Sequence, residues 1–153
     1  WDRPADLAAL KNTVSKPASH APNAPLDLPG PTGESNRHST RPRGPILCMG
    51  PSADVMRAQV NAVTALGGLA VPVEGTLAPE AVTDLPNIAG VIWWGDADTG
   101  RAFETALSQR SGPITALITA MPDAAHVLHE RHVCIDTTAA GGNAALLAEV
   151  GNA

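Results

Sequence analysis

The sequence has no tyrosine, one phenylalanine and three tryptophans in 153 residues. That scarcity excludes the stacked aromatic platforms of single-strand nucleic-acid binders. Two cysteines are too few for a disulfide framework. Charged residues make up only 16%, which argues against a charge-driven disordered chain. The net charge of -5 has the wrong sign for general nucleic-acid binding. No apolar run approaches about 18 residues, so a membrane-spanning helix is excluded, and no apolar h-region marks a signal peptide. What the chain has in quantity is small or turn-forming: 14 glycines, 14 prolines and 27 alanines, within a hydrophobic fraction of 44%. These features predict a soluble, cytoplasmic, alanine-rich domain of ordinary size with a core of small side chains.

The prolines are unevenly placed. Residues 1–45 hold eight of the 14, with six basic and four acidic residues, a formal charge of +2. Residues 46–153 hold four basic and eleven acidic residues, a formal charge of -7. The expected organisation is a Pro-rich connector over 1–45, a compact α/β body over 46–136 and a tail over 137–153. Within the connector, Leu7, Leu10 and Val14 share one face of a short helix over 5–14. Pro17, Pro22, Pro25, Pro29 and Pro31 then argue against another helix or a central strand. Leu28 to Asn36 (LPGPTGESN) is rich in turn formers and reads as a solvated linker. Arg37, His38, Arg41 and Arg43 could contact a phosphate, but spaced charges at a domain start are ordinarily solvated. A first residue of Trp1 rather than Met suggests processing or a fragment.

From residue 46 the pattern is regular. Strands are expected over Ile46–Met49, Leu69–Val73, Ile88–Trp94, Ile114–Thr119 and Val133–Ile135. Helices are expected over 53–66, over 79–85, from Asp96 or Asp98 to about Arg110, and over 123–130. Ser52 caps the first of these, Gly67-Gly68 stops it, and Pro72 argues for an edge or strand-end position. This alternation predicts a small doubly wound, Rossmann-like parallel sheet covered on both faces.

A doubly wound sheet invites a dinucleotide, and the test is the turn Cys48-Met49-Gly50-Pro51-Ser52-Ala53-Asp54. The glycine series is absent, Pro51 lacks the N–H a phosphate would take, and Asp54 adds negative charge. Glu74 stands where a ribose-binding carboxylate could, although without the glycine loop it reads as a surface acid. His126, His129 and His132 recur at intervals of three, but no carboxylate or cysteine completes a metal shell, and a solvated or capping role is expected. Cys48 and Cys134 fall within predicted strands, where thiols serve as small buried hydrophobes. Trp93 and Trp94 end the third strand, and alternation sends one ring to each face. One can fill the core while the other serves at a cleft or interface.

The last segment is unusual. Glu130 to Leu147 (ERHVCIDTTAAGGNAALL) moves from a strand through Thr137, Thr138, Ala139, Ala140, Gly141, Gly142 and Asn143 into an apolar end. Paired glycines permit close backbone approach, so the segment suits either docking onto another surface or a frayed terminus. It resembles the C-terminal motif of the bacterial proline utilization A (PutA) family. Leu28 to Asn36 resembles a PutA sequence just after the aldehyde dehydrogenase core. The stretch between, including Val91-Ile92-Trp93-Trp94-Gly95-Asp96-Ala97-Asp98, is similar to the extra C-terminal domain of long members.

The resemblance implies a bifunctional parent. An FAD-dependent proline dehydrogenase makes pyrroline-5-carboxylate, and an NAD-dependent aldehyde dehydrogenase oxidises glutamate semialdehyde, with a tunnel between the two. It further implies that this piece has an aldehyde dehydrogenase-like fold without catalysis, docks on the upstream dehydrogenase domain of the same polypeptide and helps seal the tunnel through Thr137–Asn143. No catalytic residue, cofactor or metal is expected on the chain itself. Two alternatives stand beside this. One is a dinucleotide-binding or regulatory domain using Glu74 and the Gly50 turn. The other is a homo-oligomerisation domain using Trp93, Trp94 and the tail. The expected location is cytoplasmic, with a parent able to associate peripherally with the inner membrane.

Overall fold

The structure, a computed structural model, describes residues 1–16 and 22–136. In chain order the elements are α1 (Leu7–Ser15), β1 (Leu26–Leu28), β2 (Glu34–Pro42), β3 (Ile46–Cys48), α2 (Ala53–Ala65), β4 (Ala70–Pro72), a 3-10 helix (Pro79–Val82), β5 (Gly90–Ile92), α3 (Ala97–Ser108), β6 (Ala116–Ile118), α4 (Ala124–Val127) and β7 (Leu128–Asp136). They form two units. The first takes the described residues of Trp1–His20 together with Pro42–His129. The second takes those of Ala21–Arg41 and Glu130–Ala153.

The first unit carries a four-stranded sheet in the order β4-β3-β5-β6, with every pair parallel. The chain runs from β3 outward to β4, returns to β5 on the other side of β3 and continues to β6. Winding therefore reverses between β3 and β5, which puts helices on both faces. Side-chain alternation divides the core accordingly. Leu47 and Val91 pack with Leu10 and Val14 of α1 and with Phe103 and Leu107 of α3. Ile46, Cys48 and Ile92 pack on the opposite face with Met56 and Val63 of α2 and with Val127 of α4. Each fully buried aliphatic side chain contributes roughly 1.5–3 kcal/mol.

Local signals set the helix ends. The Ser52 hydroxyl accepts the Val55 N–H at 3.4 Å at the start of α2. Gly67 closes that helix with a φ of 79° and donates its N–H to the Thr64 carbonyl at 2.9 Å. Asp96 caps α3 by accepting the Thr99 N–H at 2.8 Å. That bond holds the Asp96 carboxyl below its usual range. The strand with Pro72, β4, lies at an edge of the sheet.

Three features differ from the sequence expectation. Residues 1–45 are not one connector, because α1 belongs to the first unit: Leu10 and Val14 are in its core, and the Asn87 side-chain amide donates to the Val14 carbonyl at 3.2 Å. The Pro-rich stretch also contains strands. β1 is an edge strand paired antiparallel with β2, so Pro25 and Pro29 flank its ends without removing ladder bonds. Finally, Val133–Ile135 is not a fifth strand of the parallel sheet. It lies in β7, in a separate three-stranded sheet ordered β1-β2-β7. The parallel strands β3 and β5 are short buried runs, whereas β7 is mostly exposed along its nine residues. Such a strand suits a sheet with a wet face.

Candidate functional site

Ligands of doubly wound sheets bind beyond the carboxyl ends of the strands, where the winding reverses. Here that place lies past β3 and β5, so Gly50 on one side and Trp93-Trp94 on the other would frame it. Gly50 has a φ of 85°, and a Cβ there would come within 2.8 Å of the Trp1 indole nitrogen. Its N–H, the donor a phosphate would need, is given to Gln59 Oε1 at 3.0 Å, and its carbonyl accepts from Gln59 Nε2 at 3.3 Å. Gln59 is wholly buried on α2. The Trp1 indole N–H donates to the Met49 carbonyl at 3.0 Å. The turn is therefore filled by the chain's own side chains.

The far side is filled in the same way. Trp93 packs toward the α3 face, and its ring meets Phe103 with centroids 5.6 Å apart. Its indole N–H donates to the Asp96 carbonyl at 2.9 Å. Trp94 packs toward the α2 face and donates to the Ala120 carbonyl at 2.9 Å. One ring on each face is the placement alternation predicts, and both rings are partly buried. Glu74 follows β4 and pairs with Arg3 at 3.5 Å, both largely exposed. Such a pair contributes little to stability. Asp54 pairs with Arg57 along α2.

A pyrophosphate does not fit this turn. Gly50 N–H is engaged, Pro51 has none, and Asp54 sits at the helix start.

The remaining candidates are dispersed. His126 lies in α4, where its backbone N–H donates to the Asp123 carboxylate and its Nδ1 accepts the Asp123 N–H, each at 3.2 Å, a reciprocal capping box. This bonding keeps the Asp123 carboxyl below its usual range. His129 and His132 lie in β7, and no group of three His, Cys, Asp or Glu among the described residues is arranged to hold a metal. Cys48 is buried, and desolvation pushes its thiol up to about 12. Cys134 is exposed rather than buried, because β7 lies outside the parallel sheet; its thiol meets Glu34 Oε1 at 3.3 Å, a contact that raises its pKa. Arg37 pairs with Asp27 at 3.3 Å, and Arg43 Nε donates to the Ala125 and Leu128 carbonyls. His38 and Arg41 lie on β2. Thr137, Thr138, Ala139, Ala140, Gly141, Gly142 and Asn143 lie outside the described residues.

Sequence reasoning missed Trp1 and Gln59. Gln59 had a signal, since Met56, Gln59 and Val63 share the buried helical spacing i, i+3, i+7.

No family model matches the chain. Its sequence is 31% identical over 172 aligned positions to the bifunctional protein PutA of Rhizobium meliloti, covering 94% of this chain and 14% of that protein. It is 30% identical over 143 positions to the bifunctional protein PutA of Escherichia coli (strain K12), covering 78% of this chain and 11% of that protein. A crystal structure of a bifunctional proline utilization A protein is 25% identical, with a TM-score of 0.49, over 72% of this chain and 14% of that one. The chain thus spans only a small part of the length of the curated relatives it matches. With 31% identity extending across nearly all of its residues, it belongs to the PutA family as one segment of those longer proteins.

Proposed function

We propose that this chain is the non-catalytic C-terminal module of a long PutA, docked on the upstream aldehyde dehydrogenase part and helping seal the substrate-channelling tunnel. The fold would be a relic of an aldehyde dehydrogenase Rossmann domain. The parent would oxidise proline to glutamate in the cytoplasm, with FAD in its proline dehydrogenase part and NAD in its aldehyde dehydrogenase part. This segment would hold neither. The unit that carries the parallel sheet would be the docking platform, and Thr137–Asn143 would be the closing element.

The observation that carries this reading is the self-filled crevice. A parallel sheet of dinucleotide-binding order has its phosphate turn occupied by Gln59 and Trp1. Relatedness to PutA along the chain supports the assignment to that polypeptide. The test is coupled kinetics. Deleting residues 137–147 from the full parent should slow conversion of proline to glutamate while leaving proline oxidation intact; unchanged coupled flux would overturn the sealing role. The competing dinucleotide-binding reading rests on the placement of Glu74 after β4. Calorimetric titration of this chain with NAD separates the two, because micromolar binding would favour the competitor.

A further inference from the structure

We infer that Trp1–Ala5 is a strap across the carboxyl ends of β3 and β4 that unseats as one unit before the sheet beneath it opens, with Gly75 as its seat. At the end of β3 the Trp1 indole N–H donates to the Met49 carbonyl at 3.0 Å. Past the end of β4 the Thr76 hydroxyl donates to the Trp1 carbonyl at 3.1 Å. The Thr76 N–H donates to the Arg3 carbonyl and the Ala5 N–H to the Thr76 carbonyl, each at 2.9 Å. Pro4 and Thr76 thus form a parallel bridge, and Arg3 pairs with Glu74. Gly75 makes this approach possible. Its φ is 97°, and a Cβ there would stand 2.5 Å from the Arg3 carbonyl oxygen and 3.1 Å from the Ala5 nitrogen and the Pro4 carbonyl carbon. All three are backbone atoms of the strap, which cannot swing aside as the end of a side chain can.

The strap is separable because the core begins beyond it. Leu10 is the first residue of the chain in the buried core, and Trp1 and Ala5 only border its two clusters. The other anchors are hydrogen bonds and one largely exposed ion pair, which hold a segment weakly. Helix α1 has its own start. The Asp6 carboxylate accepts the Ala9 N–H at 2.9 Å, and the Asp6 carbonyl accepts the Leu10 N–H at 3.0 Å. Leu10 and Val14 therefore keep α1 on the sheet when the strap leaves. Unseating releases two oxygen acceptors, the Met49 carbonyl and the Glu74 carboxylate. The strap meets them with an indole N–H and a guanidinium, so it is an internal ligand that competes with any outside donor for this half of the crevice.

The test is native-state hydrogen exchange on the full chain, unmodified and as Gly75→Ala. The reference amides are those of Ile46 and Ala89, bonded to the Leu69 and Pro45 carbonyls at the amino ends of β3 and β5. In the unmodified chain the Ala5 and Thr76 amides should exchange through one shared opening, with protection at least about tenfold below the reference amides. Gly75→Ala should lower Ala5 protection by roughly a further tenfold and leave Ile46 and Ala89 unchanged. Ala5 and Thr76 amides that exchange only together with the sheet, or through openings different from each other, would overturn the inference. So would a Gly75→Ala chain that keeps Ala5 protected, or one in which the sheet amides lose protection along with it.

Discussion

Gln59 contributes more to the reading of this protein than its type suggests. A wholly buried amide must be satisfied, and here both of its polar ends are used on the backbone of Gly50. Gln59→Leu would leave that N–H and carbonyl without partners, a loss of about 1–3 kcal/mol. Thermal unfolding should therefore show a clearly lower midpoint, and an unchanged midpoint would mean that water replaces the amide. Arg110 is a second residue whose role the sequence hid. Its guanidinium donates to the Val82, Thr83 and Leu85 carbonyls and to the Thr115 hydroxyl, tying the 3-10 helix to the start of β6. The Arg110 partners are not visible without the fold, since its carbonyl contacts span 25 to 28 residues. The Cys48 thiol supplies a pH prediction. Its proton is held more tightly in the fold, at about 12 against 9.0, because burial disfavours the thiolate. The fold therefore binds more protons than the unfolded chain above pH 9.0, and stability should fall as pH rises from there toward about 12. Cys48→Ala should flatten that part of the pH–stability curve measured by denaturant unfolding.

Among the elements, those with buried apolar strands and capped helices were legible. Ser52, Gly67 and the spacing of Met56 and Val63 define α2, and the apolar runs of β3 and β5 mark the centre of the sheet. β1 and β2 were not legible. The three residues of β1 are all exposed, and β2 (Glu34–Pro42) has no apolar alternation to betray a buried face. β7 was legible as a strand around Val133, but its sheet was not, because the pairing of β7 with the sequence-distant β2 leaves no local signature. α1 was legible as a helix, while its docking was not. Leu10→Ala should cost about 2–5 kcal/mol if the helix is core. Removing residues 1–16 should lower the unfolding midpoint further by exposing the face that includes Leu47 and Val91. A truncated chain with an unchanged midpoint would return α1 to a linker role.

At the scale of the molecule, the site legible in sequence was a negative one, the missing phosphate loop around Gly50-Pro51. The structure adds that Gln59, Trp1, Trp93 and Trp94 use the strand ends for internal contacts. The proposed docking role has a segment of a PutA protein present surfaces rather than bind cofactor. Titration of the chain with NAD should accordingly give no saturable heat in the micromolar range. The central claim is that this segment keeps the intermediate inside its parent. The most direct measurement is the time course of NADH formation from proline by the full parent protein, with and without residues 137–147. The account predicts no lag in the intact protein, and in the deletion a lag with free pyrroline-5-carboxylate appearing in solution. Superimposable time courses, with no intermediate released, would contradict it.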